Sequence, residues 1–278
     1  MLPERRDLTF KLDPERICDW HPAGRHVTHF MNALSIFFPE GERFFINSVR
    51  HYRNDIRDPE LKKAVVAFIG QEAMHSREHV EYNALMTQAG LPADQLDAFV
   101  GRLLKRIRDI TPPAHRLSAT IALEHFTAIM ANQLLKSRAR IAGDTPGYAD
   151  LWHWHALEET EHKAVAFDVY REVLGSGPRA YVLRAYGLLV ASVIFWGLVF
   201  GFHLRMIRAD RKARGLRGWW STVRYLFLRE AVLIRLIPQW LDYFKPGFHP
   251  WQHDNRAYLA EIDEVMARAA PPPNAVAA

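Results

Sequence analysis

The chain has 278 residues, a formal net charge of +5 and a single cysteine, Cys18. One cysteine excludes a framework of intrachain disulfide bonds, and the charged N-terminus is not followed by an apolar core. We therefore expect a cytoplasmic protein without a signal peptide. The basic excess is modest and no nucleic-acid-binding motif accompanies it, so we expect no nucleic-acid partner.

Proline, glycine and apolar residues are arranged in a way that predicts helices along nearly the whole chain. These helices are expected over residues 39–55, 58–90 and 94–110, from the Pro112-Pro113 pair to about 140, and over 148–174. Turn-forming residues at 143–147 and 175–178 separate the later segments. No alternation typical of strands appears in the sequence, so the predicted fold class is all-α.

Four of the predicted helices carry acidic residues in an order typical of dinuclear metal proteins. Two helices contain a Glu-x-x-His pair, and each pair follows a helix with a lone glutamate. In chain order the residues are Glu42, Glu72 and His75, Glu124, and Glu159 and His162. Residues three apart lie on one helix face, about 5–6 Å between Cβ atoms, so a carboxylate and an imidazole can bind one ion. This order matches the di-iron and di-manganese carboxylate bundles, and it predicts a ferritin-like four-helix bundle holding two metal ions.

Two further histidines share faces with these pairs. His155 lies four residues before Glu159, and we include it among the predicted metal ligands. His79 lies four residues after His75 and is expected to be either an extra ligand or a hydrogen-bond donor to one. Neighbouring glutamates lie off these faces and are expected to face solvent: Glu40, Glu158 and Glu161.

Four segments of the chain resemble the bacterial family of predicted metal-dependent hydrolases. They are residues 38–45, 71–75, 155–163 and 243–251, and the resemblance extends from about residue 20 to 255. The seven-ligand spacing, with the added histidine, also resembles the di-iron arylamine N-oxygenases such as p-aminobenzoate N-oxygenase. That second resemblance rests on ligand spacing, so it implies a reaction class but no substrate.

The C-terminal part contains a long apolar stretch. Residues 185–204 include no acidic residue, lysine or arginine, and such a length suffices to cross a hydrocarbon core. Gly197-x-x-x-Gly201 within it is a close-packing motif of membrane helices. The six basic residues between 205 and 217, followed by Trp219-Trp220, suit a lipid headgroup layer.

Three placements of this stretch are considered: a helix buried in a soluble fold, a helix that spans the membrane, and in-plane or hairpin insertion, with 223–241, into the inner face of the membrane. We favour the hairpin, since a spanning helix with its basic flank inside would place the metal domain outside. The predicted organisation is a bundle at 20–175 and a hydrophobic, basic helical extension at 178–270, packed on the bundle or the membrane.

These features predict a metal-dependent enzyme with a dinuclear, di-iron centre. The favoured reaction is the activation of dioxygen to oxidise a small apolar or lipid-like substrate, with an electron donor as partner and an apolar tunnel to the metals. The alternative is hydrolysis of an ester, amide or phosphate bond. A third interpretation is metal storage without turnover. Carboxylates and imidazoles suit iron, manganese and zinc, so the metal stays open, as do the substrate and the oligomeric state.

Overall fold

The computed structural model describes residues 2–137 and 145–269, and every regular element in these ranges is a helix. The prediction of an all-α fold is therefore confirmed for the described part of the chain. The α-helices are α1 Arg25–Ser35, α2 Phe38–His51, α3 Pro59–Gln88, α4 Ala93–Ile110, α5 Pro113–Lys136, α6 Pro146–His162, α7 Val165–Leu174, α8 Pro178–Ala209, α9 Leu216–Val223, α10 Val232–Asp242 and α11 Ile262–Arg268.

Proline positions explain where several helices begin. The first turn of α3 contains Pro59, and the side chain of Asp58 accepts a hydrogen bond from the backbone N–H of Glu60. Helix α5 also has a proline in its first turn, Pro113, which follows the extended Pro112 without a side-chain cap. Helix α5 ends at Lys136, and residues 138–144, where we expected a helix end and the start of a turn, lie outside the described residues.

Helices α2, α3, α5 and α6 form the part of the fold that carries the predicted metal ligands. Helix α2 packs on α3 and α5, and α6 packs on α5 and α3. The ferritin-like identity of this arrangement stays a prediction. The helix expected over 148–174 is interrupted after His162, where the continuous helix was a wrong prediction. At this interruption the Lys163 ammonium donates hydrogen bonds of 2.6 Å to the His253 carbonyl and to Asn255, so contacts with a distant segment hold the junction.

The C-terminal helices are continuous with this core. Helix α8 packs along α5 and α1, and α10 packs on α5. One hydrophobic cluster joins Phe126 to Leu188, and a second joins Phe30 to Phe202. Both hydrophobic clusters contain residues from before and after residue 175. The predicted division into a bundle at 20–175 and a helical extension at 178–270 stays a prediction.

Helix α8 has one buried face and one exposed face. By length and composition it is the one helix in the described ranges that could cross a membrane, and 28% of its most apolar window is buried. A core helix of a soluble protein meets the same criteria, so the membrane association stays a prediction. A Cβ atom added at Gly197 or Gly201 would meet nothing within 4 Å, so this glycine pair makes no close packing contact within the fold.

Candidate metal centre

The seven predicted ligands converge at one place between α2, α3, α5 and α6. Each is at most 3% exposed. Glu42 comes from α2, Glu124 from α5, and the others from α3 and α6: Glu72, His75, His155, Glu159 and His162. Helical spacing of three and four residues accounts for the pairs within one helix, and packing of the four helices brings the faces together. Their role as ligands stays a prediction, but the structure does bring them together.

Three overlapping sets of these side chains have ligand atoms within 4.8 Å of one another. The sets are Glu42, His75 and His155; Glu72, His75 and Glu159; and Glu72, Glu124 and His162. The first and third sets share no residue, and the second joins them through Glu72 and His75. Buried histidine and glutamate clusters able to bind metal ions are therefore present, and they overlap through Glu72 and His75.

Glu159 lies between the two outer sets. Its Oε1 is 3.1 Å from His155 Nε2, and its Oε2 is 3.6 Å from His162 Nε2. Glu42 Oε1 approaches the first of these imidazoles to 3.6 Å, and Glu124 Oε2 approaches the second to 3.8 Å. The two carboxylate oxygens of Glu159 therefore face different histidines, one from each outer set.

The polar atoms of the cluster test whether metal ions fit. Eight of them are buried without a hydrogen-bond partner in the protein: both oxygens of Glu72 and Glu124, Glu42 Oε1, Glu159 Oε2, His75 Nδ1 and His162 Nε2. The 3.1 Å contact of His162 Nε2 with Glu72 Oε1 thus lacks the direction of a hydrogen bond. A single unsatisfied buried polar group costs about 1–3 kcal/mol, so such a cluster is expensive unless cations bind to it. Four carboxylates would balance the charge of two divalent ions.

Outer hydrogen bonds select which nitrogen of two histidines faces the cluster. His162 Nδ1–H donates to Gln71 Oε1 at 3.0 Å, so Nε2 is the nitrogen that faces the cluster and would bind a metal. The amide of Gln71 is oriented by its own donation to Glu161 Oε2 at 2.6 Å. His75 Nε2 lies 3.1 Å from Glu158 Oε2, so Nδ1 is the nitrogen that faces the cluster. Carboxylate and amide partners of this kind fix the orientation of metal-binding histidines.

His155 has a longer chain of partners. His155 Nδ1 lies 2.8 Å from His79 Nε2, and His79 Nδ1 lies 2.8 Å from Ser35 Oγ. Ser35 Oγ–H donates in turn to Asn83 Oδ1 at 2.7 Å. If each imidazole donates outward along this series of hydrogen bonds, His155 Nε2 is free to bind a metal. The structure thus places His79 outside the three sets, as the hydrogen-bond partner of His155.

Burial and charge divide the titratable groups of the cluster. Burial, followed by repulsion from neighbouring glutamates, raises the pKa of Glu42 and of Glu124 well above the ordinary value. Burial raises the pKa of Glu72 to about 7, against the opposing effect of His162. Burial would also raise the pKa of Glu159, but the neighbouring His162 and His155 hold it well below the ordinary value. Among these four glutamates, Glu159 is therefore the one whose pKa is lowered, because it lies next to the two imidazoles.

Two glutamates expected in solvent are buried instead. Glu158 is 0% exposed and Glu161 is 7% exposed, so the prediction for both was wrong. The cause is Arg6, whose guanidinium lies 3.2 Å from Glu158 and 2.9 Å from Glu161. Burial raises the pKa of Glu158 to about 8, against the effect of Arg6. Glu40 is half-buried and forms an ion pair with Arg43.

Sequence reasoning missed the outer partners Arg6, Gln71, Ser76 and Glu158. Ser76 Oγ–H donates to Glu42 Oε2 at 2.9 Å and thereby orients that carboxylate. Two of these residues offered a signal, since Gln71 and Ser76 are adjacent to the predicted ligands Glu72 and His75. Arg6 offered none, because nothing local to the N-terminal segment shows which helix it covers.

Two apolar cavities reach the cluster from the surface. The first has a volume of about 80 Å³ and extends from His155 and Glu159, past Thr127 and Met130, to Glu230 and Leu233. The second has a volume of about 300 Å³ and lies between α4 and α8, with Glu42 in its wall. Two apolar cavities therefore border the predicted metal site, and the apolar tunnel to the metals that we expected from the sequence stays a prediction.

Comparisons with known proteins give one match. A family model described as "Predicted metal-dependent hydrolase" matches residues 4–254. No curated protein and no solved structure matches the chain. The match covers all seven predicted ligands and also the segment around Arg6, which belongs to the outer hydrogen bonds of the cluster.

Proposed function

This chain belongs to the family of predicted metal-dependent hydrolases, and from this membership we propose that it hydrolyses a small apolar or lipid-like substrate at a buried dinuclear metal centre. The observation that carries the proposal is the overlap of the three ligand sets through Glu72 and His75. One ion would bind near Glu42 and His155, and the other near Glu124 and His162. We assign no catalytic residue beyond the ligands, and the ions are expected to be iron, with manganese or zinc as alternatives.

The protein's own residues have three tasks in this proposal. Two divalent ions would supply a Lewis acid and a bound water of lowered pKa. Glu72 and Glu159 would help to hold the ions, because Glu72 belongs to two ligand sets and Glu159 lies between His155 and His162. Glu158 and Gln71 orient the imidazoles of His75 and His162 through hydrogen bonds. The apolar walls of the two cavities exclude bulk water and admit an apolar substrate.

A second candidate reaction is oxidation of the substrate with dioxygen and an electron donor. Iron bound by these ligands would supply the reduction of dioxygen. The observation that favours this candidate is the smaller cavity, whose mainly apolar walls reach His155 and Glu159 directly and would admit dioxygen and an apolar substrate. The family match supports hydrolysis, so oxidation, which the sequence alone favoured, takes second place.

Metal analysis tests the centre. Wild-type protein reconstituted with Fe²⁺, Mn²⁺ or Zn²⁺ is expected to bind two ions per chain, measured by mass spectrometry of the metals. The isosteric change Glu72→Gln should remove at least one ion, because Glu72 belongs to two ligand sets. Glu81→Gln is the matched control, since Glu81 is an exposed glutamate on the same helix. Two ions retained in the Glu72→Gln protein would refute the assignment.

Isotope labelling separates the two reactions. With an apolar probe ester such as p-nitrophenyl octanoate, hydrolysis in ¹⁸O-labelled water should place the label in the carboxylic acid product, and this activity should be lost in Glu72→Gln. Oxidation would instead consume dioxygen in reduced, iron-loaded protein and transfer the label from ¹⁸O₂. Oxygen consumption without metal-dependent ester cleavage would favour the second candidate.

A further inference from the structure

Helices α8 to α10 expose an unusual number of apolar side chains. We call this surface the apolar face, and its members are Val182, Tyr186, Leu189, Val190, Val193, Ile194, Leu216, Trp219, Trp220, Phe227, Leu228, Ile234, Ile237 and Leu241. Helix α10 lies beside α8, because Trp240 Nε1–H donates to Ser192 Oγ at 3.0 Å. Helix α9 lies at the end of α8, where the Trp219 ring is 5.6 Å from that of His203. Large exposed apolar side chains on neighbouring helices are the kind of surface at which docking occurs.

The charges around the apolar face are almost all positive. Exposed basic residues lie in the last turns of α8, in α9 and α10, and in the segments between these helices: Arg205, Arg208, Arg211, Lys212, Arg214, Arg217, Arg224, Arg229 and Arg235. The acidic residues between 178 and 242 are Asp210, Glu230 and Asp242, whose side chains are 9%, 17% and 30% exposed. The surface is therefore complementary to a layer of negative charge. Two exposed tryptophans among basic residues are typical of protein surfaces at the lipid headgroup level.

The larger cavity opens on this face. Three exposed members of the apolar face, Tyr186, Val190 and Ile194, form part of its wall on α8. Leu103 and Ile107 of α4 form the opposite wall, and the inner part reaches Phe38, Thr127 and Glu42. We call this cavity the α4–α8 groove. Its volume of about 300 Å³ lies at the lower end of the range of about 300–1,000 Å³ for ligand sites in proteins.

We propose that the apolar face docks on an anionic lipid bilayer, with the α4–α8 groove open towards it to receive the hydrocarbon chain of an amphiphilic substrate. The combination of apolar side chains, basic residues and tryptophans matches the layers of such a bilayer from its hydrocarbon to its headgroups. The chain of the substrate enters between α4 and α8, and its polar end lies near Glu42. The identity of the substrate rests on the proposed function, whereas the docking and the chain binding do not.

A second copy of the protein is the other occupant to consider. Positive charges surround the apolar face, and a symmetric pair of such faces would bring like charges together. The charge arrangement therefore favours lipid over self-association. The experiment below separates the two, since a self-associated face would be recognised by its mass in solution.

Vesicle sedimentation tests the docking surface. Metal-loaded, full-length protein should sediment with phosphatidylglycerol–phosphatidylcholine vesicles, bind less at high salt, and bind poorly to phosphatidylcholine alone. Val193→Glu should lower the partition coefficient about tenfold, because Val193 is 77% exposed and would lose its apolar contact with the lipid. Val66→Glu is the matched control, since Val66 is 72% exposed on α3, away from the apolar face.

Equal loss of binding in both variants, equal binding to both vesicle types, or no binding would refute membrane docking. A dimer in solution that Val193→Glu dissociates would instead assign the face to a second copy. Circular dichroism and metal content check that both variants fold.

Binding of a molecule with a hydrocarbon chain tests the α4–α8 groove. The fluorescent fatty acid cis-parinaric acid should bind to metal-loaded wild-type protein. Ala119→Phe should weaken this binding at least about tenfold, since Ala119 lies in the groove wall and the added ring would occupy the space of the chain. Ala67→Phe is the control, because Ala67 is a half-buried alanine of α3 that lines neither cavity. Unchanged binding in Ala119→Phe would refute the groove. Neither test depends on turnover. If the protein docks on vesicles and binds the fatty acid but hydrolyses no ester, the proposed function is refuted and the docking proposal stands.

Discussion

Replacing Gln71 by methionine should weaken one of the two metal sites selectively. Gln71 is fully buried and accepts the hydrogen bond from His162 Nδ1–H at 3.0 Å, while its amide nitrogen donates to Glu161. Methionine has a similar length but offers only a weak acceptor, so His162 would lose its fixed orientation and its Nδ1–H would stay without a strong partner. Removal of such a partner typically costs 10–100-fold in metal affinity, which is about 1.4–2.7 kcal/mol.

The measurement is a competition titration with a chromophoric chelator that resolves the two affinities. The affinity of the site containing His162 should fall by about 10–100-fold, while that of the site containing His155 should change little, since His155 depends on His79 instead. The unfolding free energy of the metal-free protein should also fall by about 1–3 kcal/mol because a buried donor loses its acceptor. Gln133→Met is a suitable control, because Gln133 is also buried but lies outside the ligand sets. Unchanged affinities in a folded Gln71→Met protein would refute the orienting role.

Three further outcomes are expected. Metal binding near pH 7 should release protons, and the metal affinity should rise with pH, because ligating carboxylates must be ionised. Burial raises the pKa of Glu72 to about 7 and raises those of Glu42 and Glu124 well above the ordinary value. Calorimetry in buffers of different ionisation heat measures this release, and equal apparent heats in all buffers would contradict it. Arg6→Gln should lower the unfolding free energy, measured by chemical denaturation, by about 3–5 kcal/mol, since it leaves buried Glu158 and Glu161 without their cation. The control Arg5→Gln should change the unfolding free energy little, because Arg5 is largely exposed. Gly187→Ala should destabilise the protein by about 1–3 kcal/mol, because the new Cβ would lie 2.2 Å from Ser118 Oγ. The control Gly197→Ala on the same helix should be neutral or stabilising, because its new Cβ would meet no atom within 4 Å. Equal melting temperatures for the two variants would contradict the packing argument.

The sequence alone determined the fold class and the convergence of the seven predicted ligands. Proline pairs and capping residues mark helix starts locally, as at Asp58-Pro59 and Pro113. Helical periodicity placed Glu72 with His75, and His155 with Glu159, on shared faces before any packing was known. Both kinds of information are local, because they depend on residues within about one helical turn of each other.

Only the tertiary structure decided what surrounds those faces. Helical periodicity placed Glu158 on a different helix face from Glu159, as the structure does. The predicted exposure of Glu158 to solvent was wrong, since the N-terminal segment with Arg6 covers that face. Lys163 likewise lies at an unexpected helix junction held by Asn255, far along the chain. The division of α8 into a buried and an exposed face depends in the same way on its packing against α1 and α5. A helix's own sequence sets which side chains point together, but the burial of each face depends on segments distant in sequence, whose approach no local pattern records.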